Sequence, residues 1–574
     1  HSNLYHLAKY VGQAPKKRFA IHNELLPEMI TRDDHKINVE IVFGEDTSKK
    51  IDRKLLQRIN ANVHLTWKNR ASCWLRTDEL LDVARKLPEE YVMLPVYEPC
   101  TDNQGPGLMN SADYITGGAD GTGINIAIMD GGFDTLSEAM LVGVVPNNFG
   151  ALYNWSGGGG SVEVGSVHGT GCLENAFDHA PNATYFIHRV ANATDMGVAV
   201  DQAILDGVNI ISHSASRYNT GWGDDTGPAC SAVQDAVDAG ILFITSSGNR
   251  HGTHWEGEYK DDDNDDRHEW NANDESNNFT VNPDGSVRVR LQWNASSALD
   301  CYDVFLFDAN TDTIITGSNS TVAYEIFNWT NPSSVISRNV YLVVTKGTSN
   351  LASPTFELFN HETGNTDLQY ASADGSTASP SNCSDPNVIS VGAVGRTQYN
   401  SASGSDGIIR NYSSRGPTND GAQTLDLIGP DGTTTWAYGG GFVGTSCSTP
   451  NVAGAAAAFW SANPTLTATG VRQILLRKAA LYKDWGDNGY DHVYGHGGLE
   501  LYDHFDVIRY ILSTSGNNAG NSERAYKNMQ QADADAPNNA RIVFLGGIYQ
   551  QPPPNFIFTK PLIYVSAVLD SRVQ

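Results

Sequence analysis

Between about residue 121 and residue 250, short apolar runs alternate with segments of helical spacing, and nothing else in the chain restricts its fold as tightly. The runs are INIAIMD, ending at Asp130, TYFIHRV, ending at Val190, VNIISHS, ending at Ser214, and GILFITSSGN, ending at Asn249. Between them lie ATDMGVAVDQAILDG and CSAVQDAVDAG, both spaced as helices. Runs with no polar face are strands buried on both sides, and intervening helices supply the crossovers that parallel pairing demands. The expectation is an α/β fold built on a doubly wound parallel sheet covered on both faces. Ligands in such sheets bind beyond the carboxyl ends of the strands, where Asp130, Ser214 and Asn249 stand.

Elsewhere the pattern changes. The first hundred residues read strand–helix–strand–strand–helix–strand: INVEIVFG, SKKIDRKLLQRI, VHLTW, ASCWLR, TDELLDVARKL (opening at Thr77 or Asp78) and YVMLPVYEP. That order is a small α+β split βαβ unit. It carries 16 Lys and Arg against 14 Asp and Glu, whereas the whole 574-residue chain has a net charge of −27. Such asymmetry marks a separate module that can dock on an acidic body. CTDNQGPG (100–107) reads as a linker. From 251 a polar acidic stretch leads into SVRVRLQW, CYDVFLFD, VAYEIFN and NVYLVVTK, the short strands of an inserted β-sandwich. The expected division is 1–105 for the N-terminal module and linker, 106–250 and 376–510 for the two parts of the α/β domain, 251–375 for the insert, and 511–574 for a C-terminal extension of unassigned fold.

The acidic balance argues against a nucleic-acid partner, which needs a positive surface, and no apolar run is long enough for a membrane span. The opening HSNLYHLAKYVG, without a signal peptide, points to a processed product. Seven cysteines leave at least one thiol unpaired within the chain. Nine Asn-x-Ser/Thr sequences (Asn154, Asn182, Asn192, Asn278, Asn294, Asn319, Asn328, Asn382 and Asn411) permit glycosylation without requiring it.

One serine raises the chemical question. In GTSCSTPNVAG (444–454) small residues surround Ser446, which opens the alanine-rich run AGAAAAFW. A capping serine on a core helix is the bland reading; a nucleophile would need a base and an orienting carboxylate elsewhere. His168, opening HGTGCLENAFDHAP, and Asp130 supply both, in the chain order Asp, His, Ser of the subtilisin triad. Asp134 and the second HGT at His251–Thr253 compete for these roles. Asp130 is preferred because it ends a buried strand, and His168 because a helical pattern follows it.

With these motifs the chain resembles a subtilisin-like serine protease, or subtilase. IAIMDGGFD resembles the family's Asp motif, HGTGC its His motif, SSGN its Asn motif and GTSCSTPNVAG its Ser motif. NVISVGAV, YSSRGP and YGHGGLELYD extend the likeness over about 110–510 outside the insert. The resemblance implies a three-layer fold, with Asp130 orienting the imidazole, His168 as general base then acid, and Ser446 attacking the scissile carbonyl. Asn249 would donate to the oxyanion, while Ser214, Ala215 and Ser216 in SHSAS (212–216) would line the specificity pocket and pair with substrate. Arg250 would stand on the pocket rim and favour an acidic or polar residue before the cut. The N-terminal module would be a ferredoxin-like prodomain that assists folding and inhibits the enzyme, making the attached form a zymogen cleaved between about Pro99 and Ser111.

The resemblance further implies a secreted endopeptidase acting on protein or peptide substrates and needing no cofactor for its chemistry. The alternative is a catalytically silent structural or adhesive protein on the same fold. Gly131, Gly171, Asn451 and Cys447 depart from the usual family residues without removing a catalytic group. Cys172 and Cys447 fall beside the chemistry, as small buried hydrophobes or as thiols through which oxidants or mercurials inactivate the enzyme. The family's calcium loop in the His helix is missing, but Asp261, Asp263 and Asp265 in DDDNDD alternate as calcium ligands do; a solvated acidic loop is the other reading.

Overall fold

The computed structural model describes, apart from short gaps in each, residues 104–501 and residues 50–95 of the N-terminal module, with strand backbone at 31–32 and 36–43. Beyond 501 it describes strand backbone at 508–511, 541–544, 548–549, 563–566 and 572–573. The chain divides into two compact units, His1–Asp102 and Asn103–Gln574.

Seven strands form the central sheet of the larger unit: β1 (Asn125–Asp130), β2 (Ala151–Asn154), β3 (Thr184–Arg189), β4 (Ile210–His213), β5 (Leu242–Ser246), β6 (Val388–Gly395) and β7 (Leu427–Asp431). Their order is β7-β6-β5-β4-β1-β3-β2, and every pairing is parallel. β3 and β2 lie on one side of β1 and β4 to β7 follow in turn on the other, so β1 is the switch point of the sheet. The two faces of β1 feed different cores. Ile126 and Ile128 pack with helices α1 (His168–His179), α4 (Thr445–Ala462) and α5 (Ala468–Tyr482), while Ala127 and Met129 pack with α2 (Ala193–Leu205) and α3 (Pro228–Asp238). This is the expected three-layer arrangement.

α4 is buried all round, as its alanine run requires, because a helix with no polar face must lie inside the protein. Its small residues allow close approach: a Cβ on Gly454 would lie 2.4 Å from the Ala176 carbonyl of α1. On the other side, a Cβ on Gly429 of β7 would lie 2.7 Å from the Ser448 carbonyl.

Two four-stranded antiparallel sheets form the insert. In the first, Ser286–Trp293 lies between Thr355–Asn360 and Tyr324–Thr330, with His254–Glu258 outside Thr355–Asn360. In the second, Arg338–Lys346 lies between Asn277–Val281 and Tyr302–Asp308, with Thr313–Ser318 at the edge. Val287, Val289, Leu291, Val304, Leu306, Leu342 and Phe356 fill the space between the sheets. A disulfide joins Cys230 of α3 to Cys383, just before β6, closing a 153-residue separation that contains the whole insert. Cys73, Cys172, Cys301 and Cys447 are free and buried; Cys100 lies outside the described residues.

In the N-terminal unit Lys36–Phe43 pairs with Tyr91–Pro95 on one side and Arg70–Arg76 on the other, and Val63–Trp67 pairs with Arg70–Arg76, all antiparallel. With helices Arg53–Arg58 and Leu80–Lys86 this is the expected split βαβ order. The first helix is shorter than its pattern. Asp52 accepts hydrogen bonds from the N–H groups of Lys54 and Leu55, and this cap fixes the start, leaving Ile51 outside the helix but buried. Thr77 and Asp78 lie outside the described residues, and the second helix is entered from Glu79 without a side-chain cap. At the far end, Ile508–Ile511 pairs with Arg541–Phe544, which pairs with Ile563–Ser566, all parallel. This C-terminal sheet begins at Ile508.

Candidate active site

Asp130 is the last residue of β1 and only 3% exposed, held where the strand points out of the sheet. Its Oδ2 lies 2.7 Å from His168 Nδ1, at the start of α1. The neutral ring therefore carries its proton on Nδ1, facing the carboxylate, and leaves Nε2 as the basic nitrogen. Burial alone would push the ring pKa down. The Asp130 carboxylate, assisted by Cys172, outweighs burial and lifts it well above the ordinary 6.5. The competitors are elsewhere: Asp134 is exposed, and its carboxylate accepts from the N–H of Thr135. His251 donates its backbone N–H to the Tyr412 carbonyl at the base of the insert.

Ser446 occupies the first turn of α4, behind Gly444 with φ +118°. Pro450, four residues on, has no N–H to give the Ser446 carbonyl, so that acceptor lacks its helical partner. Ser214 Oγ (3.3 Å) and Cys172 Sγ (3.6 Å) donate to it instead. In return Ser446 Oγ donates to the Ser214 carbonyl at 3.2 Å. The hydroxyl is thus turned to Ser214 and forms no hydrogen bond with His168, although the sequence led us to expect that contact. Hydrogen bonds of this kind are commonly long or misaligned before substrate binds.

Asn249 lies three residues beyond the end of β5, and Ser214 one residue beyond β4, so both strands are shorter than their apolar runs. The Asn249 amide oxygen accepts from the Thr445 N–H (3.0 Å) and hydroxyl (3.1 Å). That fixes the plane of the amide and leaves its NH2 group facing the space beside Ser446, with no acceptor among the described residues. A pocket of about 210 Å³ opens there, lined chiefly by Ser214, Ser216, Tyr218, Ser246, Asn249 and Arg250. Arg250 Nε donates to Tyr218 Oη at 2.8 Å, and no carboxylate lines the pocket. Ser214, Ala215 and Ser216 follow β4 outside any regular element, until the Arg217 N–H bonds the Ser379 carbonyl.

Three residues not singled out in the sequence shape the site. Thr445 orients Asn249, as described. Asp431, fully buried at the end of β7, accepts from the Gly444 N–H (2.7 Å), Arg410 Nε (2.6 Å) and Tyr412 Oη (2.7 Å), and so fixes the approach to Ser446. Glu174 of α1 accepts from the N–H groups of Trp436 (2.6 Å) and Ala437 (2.9 Å). Only the PDG sequence at 430–432 hinted at any of this, and it reads more naturally as a turn.

The two thiols are shielded. Burial raises the pKa of Cys172, and that of Cys447 to about 12, so neither is a ready thiolate. The oxygens of Asp261, Asp263 and Asp265 lie within 4.8 Å of one another in an exposed loop, where Asp261 already accepts from the N–H groups of Asp265 and Asp266. Asn382 is buried and so closed to glycosylation in the fold. No helix among the described residues is long and apolar enough to cross a membrane.

No curated protein matches the sequence. Among solved structures the chain is similar to the Clostridium perfringens CspB protease (15% identity, 69% of this chain and 97% of that one, TM-score 0.48). It is also similar to sphericase (18%, 67% and 92%, TM-score 0.36) and the S41 psychrophilic protease (17%, 67% and 92%, TM-score 0.37). Residues 358–497, which include β6, β7 and the Ser446 helix, match the model of the subtilase family. Over that segment, which carries Ser446, the chain is similar to the subtilase family.

Proposed function

We propose that the protein is an endopeptidase that cleaves peptide bonds through an acyl-enzyme on Ser446. The observation that carries this reading is the 2.7 Å contact between His168 Nδ1 and Asp130, which leaves Nε2 available to act as the base. The Ser446 hydroxyl leaves the Ser214 carbonyl, gives its proton to Nε2 and attacks the scissile carbonyl carbon. Asp130 stabilises the imidazolium that forms. The oxyanion is met by the free Asn249 NH2 and by the Ser446 N–H at the positive end of α4. His168 then protonates the leaving amine, which departs, and a water activated by the same ring releases the acyl group. Subtilases need no chemical cofactor, and every proton in this sequence has a protein donor or acceptor.

Extended substrate would lie along Ser214–Ser216, with the side chain before the cut in the pocket bordered by Arg250. The lining of hydroxyls and one cation, with no carboxylate, supports an acidic or polar residue there. The N-terminal unit is proposed as an inhibitory prodomain, on the strength of its charge contrast with the body and its split βαβ fold. Of the window for its removal, 105–108 and 111–116 are helical and the residues up to 103 lie outside the described structure. The Cys230–Cys383 disulfide favours an oxidising, secreted setting.

The test incubates the full chain with a denatured protein substrate and reads new peptide termini and the chain's own new N-terminus by mass spectrometry. Cleavage that disappears in Ser446→Ala supports the proposal. Absence of cleavage by the unsubstituted protein, with or without removal of the N-terminal unit, overturns it in favour of a catalytically silent protein.

A further inference from the structure

The two flanks of Ser446 differ in chemistry. The pocket side is polar, with Ser214, Ser216, Ser246 and Arg250. The His168 side is apolar and aromatic. The edge of Phe442 meets the His168 ring at a centroid distance of 5.4 Å and an interplanar angle of 84°. Tyr438 stacks on the outer face of Phe442, 4.4 Å between centroids and 9° between planes. Phe442 is buried, but Tyr438 remains 40% exposed and Val443, the next residue along, 62% exposed.

This surface is held firmly. Thr433–Thr435 and Gly440–Phe442 pair as an antiparallel hairpin, and its turn is tied to α1 by the two N–H groups that Glu174 accepts. Space for the Tyr438 ring exists because residue 171 is glycine: a Cβ there would lie 2.9 Å from Tyr438 Cε2. Tyr438, in the hairpin turn, and Val443, just beyond its second strand, therefore offer an aromatic ring and an aliphatic side chain to solvent on a rigid support.

The reaction says what should occupy that place. His168 delivers its proton to the leaving nitrogen, so the residue carrying that nitrogen emerges beside the imidazole, away from the pocket that holds the acyl side. We propose that Tyr438 and Val443, backed by Phe442, seat the side chain that immediately follows the scissile bond and select a large apolar residue there. The proposal rests on the endopeptidase reading given above. It adds a second specificity element to the polar pocket, and makes the preferred substrate a peptide whose character changes from polar to apolar across the cleaved bond.

The experiment uses the full chain, incubated until its peptidase activity is constant, and internally quenched peptides differing only in the residue after the cut: Leu, Phe, Gly or Asp. Mass spectrometry confirms that the same bond is cleaved. Leu and Phe are expected to give kcat/KM on the order of tenfold above Gly. Tyr438→Ala should collapse that ratio to about twofold, and Tyr438→Phe should preserve it. If Tyr438→Ala fails to fold, Val443→Ser, altered at an exposed side chain, should lower the ratio in the same direction. Equal cleavage of the Leu and Gly peptides, or an undiminished ratio in the folded variants, overturns the proposal. A chromogenic anilide, which has no residue after its cut, separates the two levels. Hydrolysis of the anilide with no discrimination among peptides defeats this inference alone, whereas no hydrolysis of either substrate defeats the endopeptidase reading with it.

Discussion

The parallel sheet and the inserted sandwich bury their strands in opposite ways. All five residues of β5 are buried, and five of the six in β1. In the sandwich, Tyr302–Asp308 alternates buried and half-buried residues along its whole length. A strand enclosed on both faces can present chemistry only where it ends, and Asp130, Ser214 and Asn249 lie at or just beyond such ends. A strand with one wet face spends its inward residues on the core and leaves no enclosed strand end at which polar groups converge. The difference teaches where function and stability should separate: body substitutions at strand ends should cost rate, sandwich substitutions should cost stability.

The largest effect should come from Asp130→Asn, which leaves the shape of the site but removes the charge that holds the imidazole. kcat should fall by about 10⁴-fold, with the thermal transition unchanged. The same substitution should show in the pH profile. His168 must be neutral to act as base, and its pKa is raised, so rate should climb with pH through a midpoint above the ordinary 6.5. Removing Asp130 should move that midpoint down; an unmoved limb would mean that another group sets it.

Asn249→Ala comes next, with kcat lowered by about 10² to 10³-fold, KM little changed and the same melting temperature. A loss confined to KM would remove Asn249 from the oxyanion role.

Phe356→Ala sharpens the contrast from the other side. Phe356 is fully buried and packs edge-on to Tyr302, with 4.8 Å between centroids. Its truncation should cost about 3–5 kcal/mol of stability while the folded protein keeps kcat/KM within about twofold at 25 °C. Calorimetry and peptide hydrolysis on one sample measure both. Loss of activity well below the sandwich transition would break the division of roles.

The last effect is read in the pH dependence of stability and concerns Glu357, buried in the sandwich sheet. It accepts from Gln292, with Glu256 beside it. Burial, reinforced by Glu256, pushes its pKa from 4.5 to about 8. The folded state then holds a proton that the unfolded chain releases between those values. Stability should be fully present below about pH 4.5, decline as pH rises toward about 8, and level off above. Denaturant titrations of Glu357→Gln should show that decline flattened.

What could be read from the sequence follows the same physics. β1, β4 and β5 were legible because an uninterrupted apolar run of that length, bounded by turn residues, fits a doubly covered strand and little else. β7 was not, because Gly429 and Pro430 read as a loop; proline is tolerated there since β7 is an edge strand, and glycine is required by the approach of α4. The short β2, also an edge strand and only half-buried, carried too little pattern. The residues of the site were legible because each sits in its own local motif. Their supports were not. Asp431 reaches Gly444, Glu174 reaches Trp436 and Cys230 reaches Cys383 through contacts that exist only once the sheet is assembled. The Ser446 hydroxyl shows a further limit: sequence order aligned it with His168, while the free site turns it to the Ser214 carbonyl.

The whole account depends on Ser446 being made nucleophilic by a ring that Asp130 has oriented. The direct measurement is labelling of the full chain with a fluorophosphonate probe at neutral pH, followed by mapping of the modified residue. Activated Ser446 should be labelled, with labelling abolished in Ser446→Ala and reduced by orders of magnitude in His168→Ala. A folded chain that stays unlabelled after removal of its N-terminal unit, or one labelled equally well without His168, would contradict it.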